Sequence, residues 1–489
     1  MMQRCLILTL TIGVSAICSY AQDTSETDTY EAFKQKALLQ YGDFRQQANK
    51  QYAAFLKNAW NTFKAEPMIP KPQDEKLPPV TIKEDDKKQP VNSRPIAADN
   101  LASPQRPKYQ PKPASPLETI PSDKEETVDF LFFGTPCQIH ISTINRLCMK
   151  DASNQQVADG WTKLSQQNVM NNTLRECIAL RDTLALCDWA YLNLLDTFAK
   201  TVYGASNEAT MLMAFLYCQS GYQMRIGRHG GKLSLLFASK HKIYGVPYFS
   251  IGNSYYYPFN LSDQQLEICD ASYPQEKPLS LSLPYAQRFK YEATPQRLLV
   301  SRKYPDVKVE VQVNKNLLDF YDTYPVSEVE DNFMTKWAVY ANTPIDTKLK
   351  DGLYTALSKA INGLNELEAA NKLLDWVQTA FVYEYDEKVW GGDRAFFAEE
   401  TLYYPYCDCE DRAILYTRLI RDLLGLRTAL VYYPGHLACA VCFHENVNGD
   451  YLTLNNEHFV IADPTYIGAS VGMSMPGTDE KHISALLLH

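Results

Sequence analysis

Three residue types able to make and break an acyl bond recur at equal steps near the C-terminus: Cys409, His436 and Asp463 are each 27 residues apart. A thiolate can attack a carbonyl carbon, an imidazole can take the thiol proton and return it to a leaving group, and a carboxylate can hold the imidazole in one tautomer. Cys409 lies in PYCDCEDRA (405–413), after which Ala413, Tyr416, Leu419, Ile420, Leu423 and Leu424 recur at helical spacing until Gly425. The sulfur is therefore expected at a helix N-terminus, where the macrodipole and unpaired N–H groups favour a thiolate. Glu410 and Asp411 suit a helix start but oppose a neighbouring thiolate, so a protonated histidine would have to outweigh them. Cys407 is the rival thiol, placed just before the helix.

Downstream, RTALVYY, a Pro434-Gly435 turn and HLACAVCF read as two strands, the second opening on His436. Asn448-Gly449 gives a hairpin signal before YLTL, and HFVIADPTY is a further strand ending at Asp463. His458, at the head of that strand, competes with His436 for the role of base, and Asp463 before Pro464 could equally start a turn. Cys407, Cys409, Cys439 and Cys442 form C-x-C and C-x-x-C, a set that could hold tetrahedral zinc. ACAVC has no turn residue to bend a knuckle, however, and on a strand Cys439 and Cys442 point to opposite faces, so no metal is assigned.

CEDRA, PGH opening an apolar strand, and IADPTY together resemble the transglutaminase-like superfamily of papain-like cysteine enzymes, over about residues 365–470. The resemblance implies an α+β fold with a papain/transglutaminase-like core, in which a nucleophile helix packs on an antiparallel sheet. It implies Cys409 as nucleophile, His436 as base and then acid, and Asp463 as the group that orients the imidazole. No metal or organic cofactor is required. Family members usually carry an aromatic residue after the histidine, where this chain has Leu437-Ala438.

The elements that would position these groups read as the same unit twice. A shift of 204 residues lays GASNEATMLMAFLYCQSG (204–221) on DCEDRAILYTRLIRDLLG (408–425), and Gly231 and Leu233 on Gly435 and Leu437. A six-residue change of offset then sets Ile251-Gly252-Asn253 on Ile461-Ala462-Asp463. Upstream, Asp188-Trp189 matches Asp375-Trp376 at an offset of 187 rather than 204, leaving 17 extra residues in the second copy, around VYEYDEKVWGGDRAFFA. These are expected to wall the cleft, with Trp390 and Gly391-Gly392 as lid parts. The first copy places Ala205, Lys232 and Asn253 at the three chemical positions and is expected to be catalytically dead. The expected boundaries are a degenerate domain over 128–300 and a catalytic one over 301–489.

The N-terminal part differs. Residues 1–21 read as a secretory leader: one Arg, an apolar stretch from Leu6 to Cys18, and a small-x-small step at Ser19-Tyr20-Ala21. That stretch is too short to span a bilayer, and no later segment reads as transmembrane. Over 22–65 an eleven-residue period aligns Tyr30, Tyr41, Tyr52 and Phe63 in one row, and Phe33, Phe44 and Phe55 in another, predicting one long helix with Arg45 and Lys50 facing water. Its aromatic stripe calls for a cover, either the chain's own globular part or self-association. Residues 66–127 hold 13 of the 27 prolines and read as a disordered tether.

A net charge of −9, with no basic run, argues against nucleic acid. Ten cysteines remain beyond the leader, mostly within apolar runs, so few disulfides are expected. The reading is an exported, periplasmic or extracellular cysteine hydrolase of amide bonds, acting on a peptide, protein or cell-wall peptide. The alternatives are a protein cross-linking transglutaminase and a non-catalytic scaffold with a relic triad.

Overall fold

The computed structural model describes residues 24–71, 76–83, 88–103, 124–260, 264–329 and 331–488. The expected leader, and the stretch 104–123 of the expected tether, lie outside them. No helix among the described residues is long and apolar enough to cross a membrane.

Two antiparallel-cored sheets, each with helices against it, make a mixed α+β architecture. In the first, the strands run in the order Trp60–Lys64, Gln265–Cys269, Met224–His229, Lys232–Ser239, Ser254–Pro258, Phe249–Ile251. In the second the order is Asn100–Ala102, Ser484–Leu487, Arg427–Tyr433, His436–Cys442, Glu457–Ala462, Asp450–Leu454, Arg94–Ile96. The five central strands follow one another in the same way in both: a hairpin, a second hairpin whose return strand pairs with the first, and a later strand on the opposite flank. A helix precedes each first hairpin and lies on its second strand, Asn207–Gln219 on Lys232–Ser239 and Cys409–Leu419 on His436–Cys442. One hydrophobic cluster runs through both units, from Ala48 to Leu488.

The register corrects one detail of the internal alignment. Cys439 pairs with Ala462 in the second sheet. In the first, Leu236 pairs with Pro258 and the Phe259 N–H donates to Leu235 O, so Leu235 faces Phe259 and Asn260 falls where Asp463 stands. Asn253 sits in the turn between Phe249–Ile251 and Ser254–Pro258 instead. Lys232 does open its strand as His436 does. The six-residue shift followed an Ile-x-Asx likeness that strand pairing overrides. Likewise Asn448-Gly449 is not a hairpin turn: the strands it joins are not neighbours, and the tight turn is Asn455-Asn456, both left-handed at φ 51° and 65°. Gly449 is required for another reason, since a Cβ there would lie 2.2 Å from Gly472 Cα.

The long helix is real but ends before its repeat does, spanning Thr24–Asn58, and Trp60–Lys64, which carries the last repeat position Phe63, is an edge strand paired with Gln265–Cys269. Its covered face is Arg45, Ala48, Asn49, Tyr52, Ala53 and Leu56, while Tyr30, Phe33, Phe44 and Phe55 are exposed. Arg45, expected in water, is buried and donates to Gln219 Oε1 and Asn171 Oδ1. A guanidinium with three such acceptor contacts can be taken inside where an unpaired one cannot.

The Pro-rich segment is likewise not a free tether where it is described. Val80–Thr81 pairs in parallel with Tyr466–Ile467, Arg94–Ile96 with Asp450–Leu452, and Asn100–Ala102 with Ser484–Leu486. Ile82, Ile96 and Ala102 are buried anchors. Proline is tolerated on such sheet edges because its missing N–H can face away from the ladder.

The insert of the second copy contains the short helix Asp386–Val389 and leads into the helix Ala398–Tyr403. Glu399, buried in the latter, accepts a hydrogen bond from the Asp346 N–H and is pushed up to about 7 by burial. A raised carboxyl pKa means that the fold favours the protonated form, so this contribution is complete below about pH 4.5 and is lost as the pH climbs to about 7. Glu399→Gln is therefore expected to gain about 3 kcal/mol relative to the unsubstituted chain on passing from pH 4.5 to pH 8, read from urea unfolding at the two pH values.

Candidate active site

The helix Cys409–Leu419 begins on the candidate nucleophile and carries Asp408 at its N-cap. Asp411 closes the first turn by accepting the Asp408 N–H at 3.1 Å, and its other oxygen takes the Phe396 N–H at 2.8 Å. That carboxylate is turned into the helix start and serves as a cap. The helix leaves through a π-helical turn, Ile420–Leu424, stopped by Gly425 at φ 68°.

His436 opens its strand after the Pro434-Gly435 turn and is 1 % exposed. Its Nε2 lies 2.8 Å from Asp463 Oδ2. The other Asp463 oxygen accepts the N–H groups of Thr465 and Tyr466, at 2.8 and 3.2 Å. A carboxylate held by two amides is a fixed acceptor, so the proton of the neutral ring sits on Nε2 and Nδ1 presents its lone pair. Nδ1 is buried and has no hydrogen-bond partner among the described residues. His436 lines the same cleft as Cys409, and the Leu437 N–H, one residue on, faces the sulfur. His436 and Asp463 are thus paired and Cys409 lines the same cleft, but its thiol is turned to Glu410 Oε2 at 3.3 Å and makes no hydrogen bond to His436.

Their rivals are not. Cys407 is buried, with its thiol toward Val382 O at 3.9 Å. His458 is exposed and stacks on Tyr451. Cys439 packs under the helix, its thiol toward Ala413 O, whereas Cys442 lies in the cluster on the opposite face of the sheet. All ten cysteines from Cys137 onward are free thiols, Cys148 being exposed. Of the insert, Glu387 and Asp393 line the cleft, but Trp390 packs on Phe396 and Tyr404 and takes no part in it.

The sequence reading named Glu410 and Asp411 as charges opposing a thiolate; what it missed is Asp408, Asp386, Asp393 and the lysine that meets them. Burial, with Glu410 and Asp408 alongside, pushes the Cys409 thiol well above its ordinary pKa, while Lys76 and the Leu437 amide pull the other way. Lys76 comes from the Pro-rich segment. Its Nζ contacts Asp408 closely, and stands 2.9 Å from Asp393, 3.0 Å from Glu410 and 3.5 Å from Asp386. Burial disfavours the ammonium, but Glu410 and Asp408 outweigh it. Lys76 and Lys336 in turn overcome burial to hold Glu410 down to about 2, whereas burial lifts Asp386 to about 7. Asp386, Asp393 and Glu410 are close enough to share a hard cation, but the Lys76 ammonium stands among them.

Behind the triad, Gln378 Nε2 donates to the carbonyls of Asp463, Tyr466 and Ala469, and its Oε1 accepts the Gly468 N–H. Arg412, also fully buried, donates to Gln378 O, Pro464 O and Phe381 O. The loop that carries Asp463 is thereby fixed from below. Gln378 has a sequence signal only in being an amide on the buried face of the helix Glu366–Ala380; Asp386, Asp393 and Lys76 have none.

Compared with known proteins, the chain matches no family model, no curated protein and no solved structure.

Proposed function

We propose that the chain is an exported cysteine hydrolase of amide bonds, similar in its catalytic residues to transglutaminase-like enzymes. The observation that carries this reading is His436, clamped to Asp463 at 2.8 Å through Nε2 and left with an unpartnered Nδ1 in the cleft that bears Cys409. His436 Nδ1 takes the Cys409 proton as the sulfur adds to the carboxamide carbon, and the Cys409 N–H at the helix tip helps to hold the oxyanion. The imidazolium, stabilised by Asp463, returns that proton to the leaving amine as the C–N bond breaks. Water, deprotonated by the same ring, then adds to the thioester carbon; the C–S bond breaks, the acid departs and the thiol is restored. Transfer to an amine instead of water would use the same acyl-enzyme and give cross-linking.

The thiol is raised by burial and by two acids, so the unassisted sulfur is a poor nucleophile at neutral pH. Iodoacetamide labelling of the folded chain, read residue by residue in mass spectra, is therefore expected to show a Cys409 rate that falls at least tenfold in His436→Ala. Cys148, exposed and remote in sequence, serves as the internal reference and should not change. A Cys409 rate indifferent to His436 would refute the hydrolase reading. It would favour the non-catalytic scaffold, a reading to which the near-complete burial of Cys409, 2 % exposed, also speaks.

A further inference from the structure

Residues 76–83 lie against the candidate active site as an extended peptide. The Leu77 N–H donates to Gly435 O at 2.9 Å, immediately before His436. Val80 and Thr81 pair with Tyr466 and Ile467, immediately after the Asp463-Pro464-Thr465 turn, and the Ile82 N–H donates to Ile467 O at 2.9 Å. This segment thus engages the chain on both sides of the triad by main-chain hydrogen bonds, the manner in which a sheet edge takes up a foreign strand. At its head, the side chain of Lys76 enters the acidic pocket beside Cys409 and is 9 % exposed.

Lys76 alone does not neutralise the pocket: burial lifts Asp386 to about 7, and burial with Glu410 beside them raises Asp393 and, further, Asp408 above the ordinary carboxylate range even with the ammonium in place. An ammonium has three N–H donors, yet four carboxylates stand within 3.5 Å of Lys76 Nζ, with Lys336 as a more distant second cation at 3.7 Å from Asp393. Asp408 Oδ1 has no hydrogen-bond partner among the described residues although Asp408 is fully buried. That oxygen lacks a donor even with Lys76 in the pocket, so the acids are not saturated by the tethered ammonium. Two of the acids, Asp408 and Glu410, flank Cys409 in sequence, which ties the pocket to the reacting sulfur.

We propose that this pocket is a binding subsite for a primary-ammonium side chain, as of lysine or ornithine, on an extended peptide, and that residues 76–83 are a tethered occupant holding that place. The peptide follows the path of the segment: ammonium among Asp386, Asp393, Asp408 and Glu410, then main chain past Gly435 to the strand Tyr466–Ile467. Because the occupant belongs to the same chain, its effective concentration is high, and an outside peptide must displace it. That such a peptide is a substrate rests on the hydrolase reading above; that it binds does not.

The test uses Cys409→Ala, so that no turnover enters it. In that background, residues 76–82 are replaced by an equal length of Gly and Ser, and folding is checked by thermal unfolding. The probe is a fluorescently labelled synthetic peptide KLPPVTIK, the chain's own 76–83, compared with the same peptide carrying norleucine in place of its first lysine. Anisotropy titration is expected to give at least tenfold tighter binding for the lysine peptide, and at least tenfold weaker binding of that peptide when the native segment is restored. Equal affinity for the two peptides, or no binding of either, would overturn the proposal. Should the replaced chain not fold, Lys76→Ala tests the pocket alone. There n-butylammonium is expected to raise the melting temperature more than 1-butanol does, with no such difference in the unsubstituted chain. The same response to both compounds would overturn it. A chain that binds the lysine peptide yet shows no His436-dependent labelling of Cys409 would retain the site and lose the enzyme.

Discussion

Cys409→Ala is expected to abolish hydrolysis of any peptide amide that the full chain turns over, and Asp463→Asn to lower kcat by roughly four orders of magnitude with little change in KM. In the proposed reaction the sulfur supplies the covalent step, so its removal leaves only positioning. The asparagine case is the more informative. Asp463 accepts from His436 through Oδ2 and from the Thr465 and Tyr466 amides through Oδ1. A carboxamide can keep the two amide bonds only by turning its NH2 toward His436 Nε2. The ring must then carry its proton on Nδ1, the nitrogen that should receive the thiol proton. Steady-state turnover, with circular dichroism to confirm the fold, reads this directly. A variant with near-normal kcat would show that the carboxylate serves only the turn.

Arg412→Leu should lower global stability by about 3–5 kcal/mol, measured by urea unfolding, and slow Cys409 labelling in what remains folded. Its guanidinium is fully buried and is spent on three main-chain carbonyls, those of Gln378, Phe381 and Pro464, with the Tyr383 ring 5.3 Å from its centre. Leucine fills much of the volume but leaves those carbonyls without donors, and each unsatisfied acceptor costs about 1–3 kcal/mol. Pro464 follows Asp463, so the loss is expected to reach the imidazole through the turn. Loss of stability with an unchanged labelling rate would confine Arg412 to packing.

Both expectations turn on how the cleft is closed. Cys409, His436 and Asp463 are each at most 2 % exposed, and the segment 76–83 bonds on either side of them. A peptide reaching the sulfur must take the place of chain already there. The acidic pocket also changes the account of the thiol: Glu410 and Asp408 raise it, and the opposing charge comes from Lys76 as well as from any imidazolium.

The candidates Cys409, His436 and Asp463 stand out in the sequence because each occupies a local landmark. One starts a helix marked by a polar cap and an apolar stripe, one starts a strand after a Pro-Gly turn, and one ends a strand before proline; local signals of this kind survive without tertiary context. The matching strand order of the two units was legible only in outline, since sparse identities cannot fix a register, and pairing moved the counterpart of Asp463 from Asn253 to Asn260. Average composition hid the anchors of the Pro-rich segment, because a few buried residues such as Ile82 and Ile96 suffice once a sheet edge is present to receive them. Lys76 joins four acids drawn from two other stretches of chain, and no pattern along the sequence encodes a meeting of charges separated by more than three hundred residues. The same holds for Arg45 in the long helix, which is buried because Gln219 and Asn171 arrive to accept its hydrogen bonds. Residue type and local spacing mark the groups that are candidates for reaction; what surrounds and covers them follows from tertiary packing, since burial and charge pairing are properties of neighbours in space.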